Sequence, residues 1–420
     1  MDLNLNFEYY PQLSIDKLLE AKQLISRNKH NWDEPFFINT SDFVDLGHIE
    51  KICEGYRNNT NIRNLVILGT GGSIQTLLCL SHLTEKNIFP ITSSRPSEIN
   101  SCLKICNENN SLVIPISRGG KTLDINSTIG LFYQKNFPFL GISSRGPMHE
   151  ILKEIGCPIL DFPDLSGRFA ASITNVALAP AYIAGIDIKL FLKYLNDGYS
   201  YFMNLENIGT NSDNRNHALE LATFLYNLYL KGYRNIFSMP YFKDLEYMTS
   251  LFVQGLSESS GKDGKGLIGT YQPAPLCQHS ILEFLLGGSS GSVSPILWTI
   301  DEEKHNYSLN SKIDFINGKS AEEIINFQAD ATFQALIEKE VPSAKISSKD
   351  IFLASIAELI SFIQTSVYFF CTMINVNWAT NPSVIIGKEI CNNALKMNKS
   401  NNERVQDRKN IANNKFQDFF

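Results

Sequence analysis

Short apolar runs that end in glycines and lead into amphipathic segments recur in the first half of the chain. Two of them are NLVILGTGGSIQTLLCL from Asn64 and SLVIPISRGGKTLDINSTIGLF from Ser111, and further runs follow at FPFLGIS and CPILDF. Runs rich in Val, Ile and Leu are typical of buried parallel strands that pass through a glycine turn into a crossover helix. Several such units in series predict a parallel sheet with helices on both faces.

The same alternation returns after residue 232, where NIFSMPY and SVSPILWTI predict strands and FKDLEYMTSLFVQGLS and AEEIINFQADATFQALIE predict helices. A chain of 420 residues is also longer than one hydrophobic core usually serves. We therefore predict an α/β protein of two three-layer αβα domains, each with a mostly parallel central sheet, at residues 1–200 and 201–396. Residues 397–420, rich in Asn and charge, predict a polar C-terminal extension that is helical in part or disordered.

The composition is that of a soluble globular protein, with 43% hydrophobic residues, 19% charged residues and a formal net charge of -6. This balance gives no electrostatic reason to expect nucleic acid or an acidic membrane as a partner. An anionic ligand would have to be held by local positive charge. The eight cysteines include no Cys-x-x-Cys pair and no zinc-like spacing, and the N-terminus has no signal-peptide pattern. We expect a reduced, cytoplasmic protein without a metal site.

One apolar stretch, from Ile351 to Ile374, is long enough to span a bilayer. Glu358, Gln364 and three serines interrupt it. Because a central carboxylate costs a few kcal/mol in lipid, we predict a helix buried within the protein or in a dimer interface.

The first glycine turn, GTGGS, is similar to a dinucleotide-binding motif, but the third glycine of that motif would fall on Ile74 and no acid closes the next strand. The second turn, SRGGKT, ends like a nucleotide-binding P-loop, but Pro115 stands where that motif needs its first glycine. Ser117, Lys121 and Thr122 nevertheless supply hydroxyls and a cation for a phosphate at a strand-to-helix turn. A plain turn with a helix N-cap is the alternative interpretation.

Three charged or titratable residues lie on apolar segments. Arg168 opens an almost wholly apolar helix, where its burial requires either a ligand anion or an internal carboxylate. His279 begins another such helix, and a lone histidine there is by default a hydrogen-bonded core residue. Lys388 is by default a solvated helix charge.

The stretch QGLSESSGKDGKG places Gln254 and Glu258 four residues apart, so both project from one face of a helix. The glycines that follow allow Lys262 and Lys265 to fold back near the carboxylate or an anionic ligand. A carboxylate at a helix end beside glycine-rich backbone suits abstraction of a proton next to a carbonyl.

Six segments, GTGGS, SRGGKT, SGRF, QGLSESSGKDGKG, QHS and NPSVIIGKEI, stand in an order that resembles the glucose-6-phosphate isomerase family over about residues 60–395. The resemblance implies two sugar-isomerase (SIS) domains, a homodimer with shared active sites, a hexose phosphate substrate and no cofactor. It also implies interconversion of glucose 6-phosphate and fructose 6-phosphate.

By position, Glu258 resembles the base that moves a proton between C2 and C1 through a cis-enediol, and Arg168 resembles the cation beside the enediolate. His279, which the family takes from the neighbouring subunit, resembles with Lys388 the pair that opens the sugar ring. The residues that resemble substrate contacts are Gln254, the sugar-lining Gly72 and Ser73, and the phosphate-loop residues Ser117, Gly119, Lys121 and Thr122.

The chain departs from the family pattern at six positions, with Arg118 for Lys, Gly119 for a hydroxyl residue, Lys121 for Thr, Asp124 for Glu, Asn381 for Gln and Ile385 for Glu. These changes leave open a rival isomerase that acts on mannose 6-phosphate. A second rival is a catalytically silent SIS protein that binds sugar phosphate and regulates another process. Retention of Glu258, His279, Arg168 and Lys388 together favours the enzyme, because a sensor needs only the phosphate loop.

Overall fold

A computed structural model describes residues 4–206, 215–288, 291–302 and 307–415. The chain divides into two compact units, Met1–Ala379 and Thr380–Phe420.

The strands of the described residues are β1 (Leu5–Tyr10), β2 (Asn64–Leu68), β3 (Asn87–Ile91), β4 (Ser111–Pro115), β5 (Gly141–Ile142), β6 (Ile159–Leu160), β7 (Asn235–Pro240), β8 (Ile268–Tyr271), β9 (Val293–Ile300) and β10 (Ser343–Ser348). The α-helices are α1 (Ile15–Asn28), α2 (Leu46–Asn58), α3 (Gln75–Leu80), α4 (Pro96–Leu103), α5 (Leu123–Gln134), α6 (Pro147–Ile155), α7 (Gly167–Ala170), α8 (Asn175–Ile183), α9 (Ile188–Phe202), α10 (His217–Leu230), α11 (Glu246–Ser260), α12 (Gln278–Glu283), α13 (Ala321–Glu338), α14 (Leu353–Met373), α15 (Ile385–Lys396) and α16 (Asn401–Lys415).

The first half of the larger unit forms a parallel sheet. Strands β3, β2 and β4 pair in that order, and the parallel pair β5–β6 joins them through bridges from Val113 to Phe139 and from Ile116 to Ile142. Alternate residues of β2 enter two different hydrophobic clusters, with Leu65 in one and Val66 in the other. Because helices cover both faces of the sheet, its strands are continuous apolar runs.

The second sheet has the order β1-β10-β9-β7-β8, and all of its strand pairs are parallel except β1 with β10. Two mostly parallel sheets confirm the predicted α/β fold class. The first strand, however, belongs to the second sheet, since Leu5 pairs with Ser348. The domain boundaries placed after residues 200 and 396 stay a prediction.

Helix α14 corresponds to the apolar stretch singled out in the sequence. It is long and apolar enough to cross a membrane, but 89% of its most apolar window is buried inside the protein. It packs against α9, α10 and α11. This confirms the prediction of a buried helix.

The smaller unit contains α15 and α16. The extension predicted to be helical in part contains α16, from Asn401 to Lys415, while residues 416–420 lie outside the described part of the chain. Several apolar side chains of α15 are exposed, including Ile386 and Ile390.

Candidate active site

The candidate residues of the larger unit follow the carboxyl ends of parallel strands, where open α/β sheets bind ligands. The GTGGS turn follows β2, the SRGGKT turn follows β4, and α11 follows β7 and ends two residues after Glu258.

The centre of the site is an ion pair between Arg168 and Glu258, with 3.2 Å between Nη1 and Oε1. The Arg168 side chain is 4% exposed and that of Glu258 is 23% exposed. Gln254 Nε2 donates to the other carboxylate oxygen, Oε2, over 3.0 Å. The predicted shared face of Gln254 and Glu258 is therefore confirmed, and a carboxylate is the partner that the buried arginine required.

Further contacts fix the guanidinium of Arg168. Its Nε donates to Ser259 Oγ over 2.8 Å, and its Nη2 donates to the backbone carbonyl of Trp378 over 2.9 Å. Gln364, on α14, donates to the backbone carbonyl of Arg168 over 3.0 Å. Burial lowers the pKa of Arg168, and the nearby Glu258 carboxylate opposes that effect. The cation is thus held by groups from α11 and from the chain after α14, while Gln364 of α14 holds the Arg168 backbone.

The glycine turn after β2 packs directly on the start of α7. A Cβ atom at Gly72 would lie 2.5 Å from the backbone nitrogen of Arg168 and 2.7 Å from its Cα. Only glycine permits this approach without displacing backbone. Gly72 therefore serves close packing on the backbone of Arg168, and the Ser73 hydroxyl lies next to Gly167.

The SRGGKT turn forms a compact loop between β4 and α5. Ser117 is buried, and its Oγ lies 3.0 Å from Thr122 Oγ1. Gly120 has a φ of +61°, and a Cβ there would lie 2.3 Å from the carbonyl oxygen of Arg145. Lys121 is exposed, and in the described part of the chain its ammonium makes no hydrogen bond or ion pair. The loop therefore carries an exposed ammonium that no described side chain neutralises.

Arg118 connects this loop to the segment that carries Arg168. Its Nη1 donates to the backbone carbonyl of Leu165, and its Nε lies 3.5 Å from Asp164 Oδ1. The other oxygen of Asp164 pairs with Arg145. The candidate phosphate loop is consequently tied to the residues just before α7.

The two loop lysines fold back, as the glycines allow, but to different places. Lys262 Nζ donates to the backbone carbonyls of Glu258, over 3.2 Å, and Ser259. Lys265 instead donates to the carbonyl of Ile374 over 3.1 Å, just after α14. Of the two, Lys262 alone contacts the residue that carries the carboxylate.

His279 and Lys388 lie on exposed helices. His279 is on the first turn of α12, so the default interpretation as a core histidine is wrong. Its ring makes no hydrogen bond or ion pair with a described residue of this chain. Lys388 is exposed on α15 of the smaller unit. Their roles in ring opening stay predictions.

Sequence reasoning missed three residues that hold Arg168, namely Ser259, Gln364 and Trp378. Two of them stand at positions that the sequence marks: Ser259 follows Glu258 directly, and Gln364 is a polar residue within the apolar stretch. Trp378 contributes only a backbone carbonyl, which no sequence pattern reveals. Among the described residues, no group of three or more His, Cys, Asp or Glu side chains could hold a metal ion.

No protein-family model matches the chain. The chain is 26% identical over 370 residues to the glucose-6-phosphate isomerase of Methanocaldococcus jannaschii, an alignment that covers 83% of this chain and 88% of the relative. It is 24% identical over 376 residues to that of Mycoplasmopsis pulmonis, covering 82% and 86%.

Two solved structures share the fold. The crystal structure of a glucose-6-phosphate isomerase from Chlamydia trachomatis has a TM-score of 0.76 at 18% identity, covering 97% of this chain and 92% of that one. A hypothetical protein from Thermus thermophilus has a TM-score of 0.77 at 18% identity, covering 90% and 96%. At this identity the structures confirm the fold alone.

Proposed function

We propose, on the premise that this chain is similar to glucose-6-phosphate isomerases over 83% of its length, that it interconverts glucose 6-phosphate and fructose 6-phosphate. The observation that carries the proposal is the Arg168–Glu258 pair at the carboxyl ends of the strands, in a chain whose curated relatives bear this name.

Glu258 is the proposed base. Its carboxylate is held on both oxygens, by Arg168 and Gln254, yet nearly a quarter of its side chain remains exposed, so a substrate can reach it. A proton next to a carbonyl is a poor acid, and its removal needs a base within hydrogen-bond distance. Glu258 takes the proton from C2 of the aldose and returns it to C1 of the cis-enediol.

Arg168 is the proposed stabiliser of the enediolate. Its buried guanidinium is already fixed by Ser259 and Trp378, so it needs no reorganisation when negative charge develops on the substrate. The turn that contains Gly72 and Ser73 packs against it and lines the sugar.

The phosphate is proposed to bind the loop after β4. Ser117, Gly119 and Thr122 supply hydroxyl and backbone donors. The exposed Lys121 supplies a local positive charge for the phosphate, which a protein with a net charge of -6 does not provide elsewhere by its overall composition. His279, from the neighbouring subunit of a homodimer, and Lys388 are proposed to open the sugar ring. We also propose that the enzyme works in the cytoplasm and needs no cofactor.

A coupled assay tests the function. Purified protein is supplied with fructose 6-phosphate, and the glucose 6-phosphate formed is oxidised by an NADP-dependent dehydrogenase whose NADPH is followed by absorbance. We expect steady turnover that is proportional to the amount of protein. Binding of fructose 6-phosphate without its conversion would instead support the silent regulator. Faster conversion of mannose 6-phosphate would support the rival isomerase, when its product, fructose 6-phosphate, is passed to the dehydrogenase by an added glucose-6-phosphate isomerase.

A further inference from the structure

Lys262 holds the end of the helix that carries the proposed base. The last carbonyls of an α-helix have no partner within the helix. At the end of α11, the ammonium of Lys262 donates to the carbonyl of Glu258, with 3.2 Å from Nζ to the oxygen, and to that of Ser259. Both residues also contact the Arg168 guanidinium, through the Glu258 carboxylate and the Ser259 hydroxyl.

The backbone that follows α11 directs the Lys262 side chain to this place. The Lys262 amide donates to the carbonyl of Ser260 over 2.9 Å, and the Lys265 amide donates to that of Lys262 over 2.8 Å. Gly266 closes the loop, because a Cβ there would lie 2.4 Å from the carbonyl oxygen of Ser260. The closed loop therefore places the Lys262 backbone beside the end of α11.

The surroundings of the ammonium are partly buried and contain four titratable or charged groups. Glu258 on α11 and Asp263 in the loop attract it, Arg168 on α7 repels it, and the thiol of Cys371 lies near it on α14. Burial lowers the pKa of Lys262 to about 8. Its charge is therefore present at neutral pH and is lost in mildly alkaline solution.

We infer that Lys262 is a positioning residue for the isomerisation proposed above, on which this inference rests. By binding the carbonyls of Glu258 and Ser259, its charged ammonium fixes the last turn of α11. That turn sets the direction of the Glu258 carboxylate and of the Ser259 hydroxyl that orients Arg168. Lys262 itself touches no reacting atom.

Loss of this charge should affect activity and stability in opposite directions. Activity should decline as pH rises through about 8, because the neutral amine binds the two carbonyls more weakly. In an unfolded chain a lysine has a pKa of about 10.4. Between pH 8 and that value the unfolded chain therefore binds more protons than the folded protein, so the contribution of Lys262 to the free energy of unfolding rises with pH. A decline in activity without a loss of stability separates repositioning from unfolding.

The test compares Lys262→Met and Lys262→Arg with Lys265→Met. Lys265 is the matched control, since its ammonium also binds a backbone carbonyl in the same loop but at the end of α14. Lys262→Met should lower kcat by about tenfold to a hundredfold, the usual effect of misplacing a catalytic group, with KM for fructose 6-phosphate within about twofold. Lys262→Arg should recover most of kcat and move the alkaline decline up by at least about one pH unit, because a guanidinium stays charged to above about pH 12. Lys265→Met should keep the kcat and pH profile of the wild type.

The kcat values and pH profiles of these variants decide whether Lys262 positions the base. Equal kcat in Lys262→Met and Lys265→Met, or an alkaline decline at the same pH in Lys262→Arg as in the wild type, would overturn the positioning role while leaving the isomerase intact. An inactive wild type would overturn the proposed function and this inference with it. If Lys262→Met does not fold, as circular dichroism would show, the pH profile of Lys262→Arg decides alone.

Discussion

The Arg168–Glu258 ion pair should be measurable as a coupling between two substitutions. Arg168→Met keeps an unbranched side chain of similar length and removes the guanidinium, while Glu258→Gln keeps the shape of the carboxylate and removes its charge. If the two groups interact in the folded protein, the double variant should lose less stability than the sum of the single variants.

The expected magnitude follows from burial and contacts. Arg168 is 4% exposed and binds Glu258, Ser259 and Trp378, so its removal takes the cation from a half-buried carboxylate and a donor from two further acceptors. Removing one partner of a buried ion pair costs about 3–5 kcal/mol, and we expect about 3 kcal/mol here because Glu258 keeps some contact with water. The double variant leaves no unpaired charge at this position, so the coupling should be about 1–3 kcal/mol.

Urea unfolding, followed by tryptophan fluorescence, gives the free energy of unfolding of the wild type, the two single variants and the double variant. If the four m-values are equal, the urea midpoints can be compared directly. Arg95→Met combined with Glu258→Gln is the control pair, because Arg95 is exposed and pairs with Glu98. In the control pair, the stability losses of the two single variants should add up to that of the double variant. If the Arg168 and Glu258 substitutions were also additive to within about 0.5 kcal/mol, the ion pair would not exist in solution and the proposed site would lose its centre.

Three further predictions address the phosphate loop, the assembly and the pH dependence of stability. Lys121→Ala should raise KM for fructose 6-phosphate by at least about tenfold, since a charge-assisted contact contributes about 1.5–3 kcal/mol, and an unchanged KM in steady-state assays would remove this loop from the site. Mixed His279→Ala and Glu258→Gln subunits, each inactive alone, should regain activity as separately tagged hybrid dimers, whereas no recovery in verified hybrids would indicate a site built from one chain. Burial raises the pKa of Glu358 to about 7, above the value of about 4.3 in an unfolded chain, so the stability that this group contributes falls as pH rises between those values. Glu358→Gln should therefore have a higher urea midpoint than the wild type at pH 8 and little advantage at pH 4.5; an equal advantage at both would contradict this reasoning.

The parts of the site that the sequence predicted are those encoded by local patterns. The turn after β2, the turn after β4, and the Gln254–Glu258 pair each lie within one strand–turn–helix unit or one helix, where periodicity and glycines determine the geometry. The predicted buried helix likewise follows from composition and length.

The parts that were missed depend on contacts between distant segments. Strand β1 pairs with β10, more than 300 residues later, and its short alternating sequence does not specify that partner. The carbonyl of Trp378 binds Arg168 across 210 residues, and backbone groups carry no signature in the side-chain pattern. The exposure of His279 differs from the expectation for an apolar helix, because none of the residues of α12 is buried.

Proton exchange at C2 of glucose 6-phosphate in ²H₂O, followed by proton NMR, tests the central claim most directly. The wild type should convert the sugar phosphate and introduce deuterium at C2, and Glu246→Gln, which changes a carboxylate at the other end of α11, should behave like the wild type. Glu258→Gln should slow exchange by about a hundredfold to ten-thousandfold, the usual contribution of a general base, while the affinity for sugar phosphate changes little. Wild-type exchange in Glu258→Gln would contradict the assignment of the base, and a wild type that binds the sugar phosphate but neither exchanges the C2 proton nor forms fructose 6-phosphate would contradict the isomerase itself.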